Sequence, residues 1–211
     1  IEPEIPLLSG GFRLVENKLR SSLLVFEEGQ TSPSNAIDKY RLVPLGEFVP
    51  EVPGLSWEGL SLVGGIYPGE SNRLLKWSGP PLVVAICYEL GDGNALAKAV
   101  FDGGKSIVVI ANLDPYPESL HRQFLSLAQL RSIETDRDLI IASNTGPSAL
   151  IKANGSISQR IEDFTLGFDI FSLGIKDNLT AYVIWKEYPL IVLSSVSVFI
   201  FILKYRYDNF M

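Results

Sequence analysis

Apolar positions fall in short, bounded runs along most of this chain. Val83-Val84-Ala85-Ile86 is uninterrupted and largely β-branched, and Cys87-Tyr88-Glu89 ends it. A glycine-rich corner follows at Gly91-Asp92-Gly93. That pattern predicts a strand buried on both faces that turns into a helix. Asn94 to Asp102 reads as the helix, stopped by Gly103-Gly104. Ser106 to Ala111 is a second buried strand. Leu120, Phe124, Leu127, Leu130 and Ile133 recur at helical spacing, so 120–136 is a helix. Leu139 to Ala142 is a third buried strand. Ser148–Ile151 and Ile157–Ile161 form a hairpin over Asn154-Gly155, a strong turn pair. Phe168 to Leu173 is expected to be a last strand. Upstream, Leu7-Leu8 reads as a short strand ending in a turn at Gly10-Gly11. Leu23 to Phe26 is a core strand, followed by a turn at Glu27-Glu28-Gly29-Gln30. Strand–helix–strand–helix–strand plus a hairpin predicts an α/β fold, a mixed sheet covered by helices.

Two stretches break the alternation. Residues 38–50 carry two prolines and a glycine, which rule out a regular helix or a central strand. Leu42, Val43, Leu45, Phe48 and Val49 need cover there, yet the segment also holds Lys39 and Glu47. Buried charges are costly unless they pair or work. Residues 51–81 are glycine-rich without periodicity, as in a lid or binding loop. Trp57, Leu60, Leu62, Val63, Ile66 and Tyr67 in it suit either lipid contact or an ordinary core.

Residues 189–203 contain no charge; Trp185, Lys186 and Tyr188 precede them and Lys204-Tyr205-Arg206-Tyr207 follow. The run is shorter than the roughly 20 residues of a full span. Interfacial aromatics and snorkelling basic side chains extend it, so 185–205 is expected to cross a membrane. The basic bias at 204–206 puts the 206–211 tail in the cytoplasm and residues 1–180 on the outer face.

The totals narrow the chemistry. A length of 211 suits one domain with a real core. A net charge of −6 without a basic stripe argues against nucleic acid. One cysteine excludes an internal disulfide and multi-cysteine zinc patterns. The single histidine, His121, reads as a helix surface residue. No signal-peptide pattern opens the sequence, and a chain that begins at Ile1 is expected to be a fragment.

Cys87 is either a small buried hydrophobe or a nucleophile shown at the carboxyl edge of the sheet. Three pieces bear on the choice: Lys39 in Lys-x-x-Leu-Val-Pro-x-Gly-Glu, Cys87 in Cys-Tyr-Glu at a strand end, and Asn144-Thr145-Gly146 closing a strand. Together they resemble the nitrilase superfamily and, more narrowly, its membrane-bound acyltransferase branch, over about residues 7–205. The resemblance implies an α-β-β-α sandwich, here incomplete at its N-terminus, followed by one transmembrane helix.

It also implies a Glu-Lys-Cys triad. Cys87 is then the nucleophile and Lys39 the cation that lowers the thiol's pKa and stabilises an oxyanion. Glu47 orients Lys39 or shuttles a proton. Tyr88, Glu89 and Asn144 support the nucleophile or the substrate. The family's general-base glutamate lies on an early strand well before the lysine. Glu2 and Glu4 are too close to the strand at Leu7 to be that residue, so the base is expected upstream, and the chain alone is expected to be inactive. Pro115 and Tyr116, Phe124 and Leu45 depart from the usual family residues.

The implied reaction transfers an acyl group from a membrane phospholipid, through a Cys87 thioester, to the N-terminal diacylglyceryl-cysteine of a lipoprotein. It needs no cofactor or metal. It belongs at a bacterial inner membrane, with the domain on the periplasmic side. A nitrilase-type amidase using water, or an inactive membrane-anchored remnant, are the alternatives.

Overall fold

The computed structural model describes residues 4–48 and 65–210, with side chains through 206. Trp57, Leu60, Leu62 and Val63, and Glu2, lie outside the described residues.

Nine strands build two sheets among the described residues. Strands β1 (Leu7–Val15), β2 (Lys18–Phe26) and β3 (Asn35–Asp38) form an antiparallel sheet in that order. Strands β4 (Leu74–Leu75), β5 (Leu82–Ile86), β6 (Ser106–Ala111), β7 (Leu139–Ser143), β8 (Ser148–Ile151) and β9 (Ile157–Ile161) form a mixed sheet, also in chain order. The centre is parallel, β5 with β6 and β6 with β7, and the outer pairs are antiparallel. Parallel neighbours require crossovers. Helix α1 (Gly93–Phe101) supplies the first and α2 (Glu118–Thr135) the second.

Side-chain alternation divides the core in two. Val83 and Ala85 of β5 point to one face, where Leu96, Ala97 and Val100 of α1 and Phe124, Leu125 and Ala128 of α2 cover them. Leu82, Val84 and Ile86 point to the other face and meet Leu23 and Val25 of β2. The central strands are therefore covered on both sides, which is why they read as continuous apolar runs. The layers run helices, six-stranded sheet, three-stranded sheet.

Several expectations need correction. Gly10 and Gly11 do not end the first strand; β1 continues to Val15, and the turn lies at Glu16 and Asn17, with φ of 51° and 60°. Gly10 faces the other sheet, and a Cβ there would stand 3.2 Å from Ile110 Cδ1, so the missing side chain allows close sheet contact. Phe168–Leu173 is not a strand; Leu166, Phe168 and Ile170 are exposed, and among the described residues no strand pairs beyond β9. Alternating composition cannot make a strand without a neighbour to satisfy its backbone. Of the loop expected over 51–81, residues 65–81 include the short strand β4 and a buried Ile66 bridged to Leu19.

After the short helix α3 (Ala181–Trp185), helix α4 (Tyr188–Phe210) ends the described chain. Its Tyr188–Arg206 stretch has a mean hydropathy of 1.8 and is not buried against the domain. It is the one helix among the described residues long and apolar enough to cross a membrane.

Candidate active site

Strand β5 stops at Ile86, and Cys87 opens a 3₁₀ turn, Cys87–Gly91, that leads into α1. The Cys87 backbone is left-handed, with φ of 52°. A side chain with Cβ pays of order 1–3 kcal/mol for such a conformation, which persists only where surroundings impose it. Glu89 imposes it here. Its buried carboxylate accepts from Ile86 N at 2.9 Å, closing the corner around Cys87.

Lys39 leaves the end of β3, its amide donating to Ser21 O at 2.8 Å. Its side chain is 2% exposed, and Nζ meets Glu47 Oε1 at 2.6 Å. The irregular segment after Lys39 folds into a tight turn that returns Glu47 to it. Glu47 N donates to Val43 O at 2.9 Å, and Val43 N donates to Glu47 Oε2 at 2.8 Å. The apolar segment with two charges, problematic as sequence, folds so that they pair, Lys39 buried and Glu47 part-buried.

These groups meet at the thiol. Burial pushes the Cys87 pKa up; Lys39 pulls it down, and Glu47 pushes it up again, with the net shift upward. Tyr116 is raised first by burial and then by Cys87 and Glu47, so its phenol belongs to the same cluster. Tyr88 is half exposed, and the Arg41 guanidinium lies 5.2 Å from its ring centre.

Cys87 opens into a cavity of about 330 Å³ walled by Val43, Leu90, Leu113, Tyr116, Phe124 and Leu127, among others. The wall is almost wholly apolar. Asn144 is not on it. Asn144 Oδ1 accepts from Leu113 N at 3.1 Å, and Nδ2 donates to Asn112 Oδ1 at 2.6 Å, so Asn144 fixes the loop after β6 that carries Leu113 into the wall.

His121 is a correction: it is fully buried rather than at the helix surface. Its Nε2 donates to Leu113 O at 3.0 Å, and Nδ1 lies 3.0 Å from Asp163 Oδ2. Leu113 is thus held on both sides, by Asn144 and by His121. Glu4 is exposed at the start of the described chain. Among the described residues no three His, Cys, Asp or Glu side chains converge as a metal site would require.

No family model matches the sequence. Curated relatives do. An apolipoprotein N-acyltransferase of Prochlorococcus marinus is 59% identical over 187 residues, covering 89% of this chain and 38% of that protein. One from Parasynechococcus marenigrum is 47% identical, over 84% of this chain and 38% of its own length. By sequence this chain is a homologue of the apolipoprotein N-acyltransferases. It spans about 38% of the length of those relatives. A Saccharomyces cerevisiae member of branch 10 of the nitrilase superfamily superposes with a TM-score of 0.60 at 14% identity, covering 76% of this chain and 57% of that one. An amidase from Nesterenkonia sp. gives 0.56 at 16% identity, over 89% and 66%. These two likenesses establish the nitrilase fold.

Sequence reasoning singled out Lys39, Glu47, Cys87 and Glu89, and the fold brings all four together. It missed two neighbours of the site: Tyr116, and Arg73, whose Nη1 donates to Glu89 Oε2 at 3.0 Å. Tyr116 stood out only as a departure from the family pattern. Arg73 gave no signal, being one basic residue in a loop-rich stretch.

Proposed function

We propose that this chain carries the acyl-transfer site of an apolipoprotein N-acyltransferase, with Cys87 as nucleophile. The observation that carries the reading is the single cysteine, held in a left-handed corner at an apolar cavity, within the field of a part-buried Lys39–Glu47 pair. The named relatives support the reaction class.

In the first half-reaction the Cys87 thiolate attacks the ester carbonyl of a phospholipid. The C–S bond forms, the C–O bond breaks, and the lysophospholipid leaves as its alcohol after taking a proton. Lys39 stabilises the tetrahedral oxyanion, and Glu47 holds the ammonium in place. The apolar cavity suits the acyl chain, since each buried CH₂ contributes about 0.8 kcal/mol. In the second half-reaction the α-amine of a diacylglyceryl-cysteine attacks the thioester. The C–N bond forms, the thiolate leaves, and the amine gives up a proton. Tyr88 and Glu89 support the corner, and Asn144 supports the cavity wall.

Residues 1–180 form the catalytic domain, 185–205 the membrane span and 206–211 a cytoplasmic tail. The basic pair Lys204 and Arg206 supports a periplasmic domain at a bacterial inner membrane. The proton of Cys87 needs a base. Glu47 and Glu89 are both committed to other partners, and we assign the proton to a further carboxylate, the general-base glutamate that the family resemblance implies.

Intact mass spectrometry tests the reading. This chain, and a longer form matching the relatives' length, are incubated with phospholipid vesicles without an amine acceptor. An acyl mass on Cys87 in the longer form is the expected result. No adduct on either form would refute the acyl-enzyme, and steady release of free fatty acid instead would indicate a hydrolase.

A further inference from the structure

Arg73 belongs to no motif, yet it lies between the segments that carry Cys87 and Lys39. Its side chain is 1% exposed, and that of Glu89 is fully buried. Arg73 Nη1 donates to both Glu89 oxygens, at 3.1 and 3.0 Å. Nη2 donates to Asp38 O at 2.9 Å and to Glu70 O. The guanidinium carbon stands 4.7 Å from the centre of the Tyr40 ring. The Arg73 carbonyl accepts from Val84 N at 2.8 Å, in the strand leading to Cys87.

Glu89 extends this grip. Oε1 accepts from Tyr40 N at 2.6 Å and from Arg41 N at 3.4 Å, while Oε2 accepts from Ile86 N. Arg73 therefore holds the residue before Lys39 directly and the two after it through Glu89. The same carboxylate holds the residue before Cys87. A carboxylate this buried stays ionised only beside a cation, and Arg73 is the cation bonded to it among the described residues. Arginine suits the position because its planar fork meets a carboxylate and two carbonyls at once.

We propose that Arg73 is a positioning residue: acting through Glu89, it fixes the Lys39 segment against the Cys87 corner, so that the ammonium stays where it stabilises the thiolate. This rests on Lys39 and Cys87 being the reacting pair. Besides Arg73, the ionisable groups bearing on this cluster are Lys39, Glu47, Tyr40, Tyr116 and, through the Tyr40 hydroxyl, Asp92.

The chain holds one cysteine, so iodoacetamide alkylation of the Cys87 peptide, read by peptide mass across the alkaline range, reports its thiolate. The test is a double-mutant cycle on the alkylation midpoint, with the whole chain in detergent micelles. Lys39→Met is expected to raise the midpoint. Arg73→Met and, by a smaller amount, Arg73→Lys are expected to raise it too, slowing alkylation at neutral to mildly alkaline pH about threefold to tenfold. Neither Arg73 substitution should add to Lys39→Met. Unfolding moves the midpoint the other way, down toward the free-thiol value of about 8.5. If Arg73→Met unfolds, Arg73→Lys decides.

An unmoved midpoint in the folded Arg73 variants, or a shift that persists in the Lys39→Met background, would overturn the proposal. An unmoved midpoint in Lys39→Met would overturn the pairing beneath it. Alkylation needs no acyl donor, so a failure of acyl transfer with these midpoints as expected would remove the acyltransferase reading and leave the role of Arg73 standing.

Discussion

Asp38 ends β3 beside Lys39, and its substitution by asparagine is the sharpest test of what holds that strand. Arg13 grips the carboxylate with Nε and Nη2 at 2.7 and 2.8 Å, Arg20 adds Nη1 at 3.0 Å, and Ser22 donates its hydroxyl at 2.7 Å. Burial pushes the Asp38 pKa up, but the bonds from Arg13, Ser22 and Arg20 outweigh it and hold the group at about 2, against 3.8 for a free side chain. The carboxylate is 6% exposed, so solvent screening is weak. A depression of that size corresponds to about 2 kcal/mol of stability. The sign follows from the direction. The folded pKa lies below the unfolded one, so the contribution is complete above the unfolded value and is lost as pH falls through the folded value. Denaturant unfolding in detergent should therefore show Asp38→Asn about 2 kcal/mol less stable than the parent at pH 7. The gap should close as pH drops from about 4 to about 2. A gap that stays constant across that window would mean that the substituted amide fails by packing alone and that the arginines contribute no charge-dependent stability.

Four further outcomes are expected. Cys87→Ala and Cys87→Ser should abolish acyl transfer in a full-length enzyme while leaving the unfolding midpoint unchanged; normal activity in both would remove Cys87 as nucleophile. Glu47→Ala leaves the buried Lys39 ammonium without its counter-charge, so it should lose about 3 kcal/mol of stability and more than about tenfold in acyl transfer, measured by denaturant unfolding and by steady-state rate. Leu127→Trp should fill part of the apolar cavity and shift the acyl mass found on Cys87 toward shorter chains when vesicles offer a mixture; an unchanged distribution would place the acyl chain elsewhere. Gly104→Ala puts a Cβ 2.3 Å from Val83 Cγ2 and 3.0 Å from the Ala99 carbonyl, so chemical unfolding should show a loss of about 1–3 kcal/mol.

What the sequence reveals follows from how local each signal is. Strands β5, β6 and β7 are legible because burial on both faces leaves them uninterrupted apolar runs. Helix α2 and the Asn154-Gly155 hairpin are legible because their periods and turn residues are local. Cys87 and Lys39, the residues proposed to react, stand out through motifs a few residues long. The missed features depend on distant partners. The burial of Arg73 is decided by Glu89, 16 residues later, and by the Asp38 carbonyl, 35 residues earlier. His121 is buried by contact with Asp163, 42 residues away. Single polar residues without a local pattern read as solvated, since most are. The apparent strand at 168–173 fails for the converse reason: its alternation is local, but the neighbour it would need is not among the described strands.

The same arrangement constrains the chemistry. Burial dominates at Cys87 and holds its thiol above the ordinary range despite Lys39. Lys39 is suited to hold charge that appears on the thiol and on the oxyanion, but an ammonium cannot remove the proton. Glu47 spends one oxygen on Lys39 and the other on Val43 N. Glu89 spends both on backbone amides and on Arg73. Protonating Glu89 would loosen the corner that presents the thiol. The proposed mechanism therefore draws on a third carboxylate at Cys87. Without it the thiol should alkylate only as pH climbs through its own raised pKa. With it, the rate should gain a second, lower inflection in the carboxylate range, which a pH–rate comparison of this chain with a longer form would reveal.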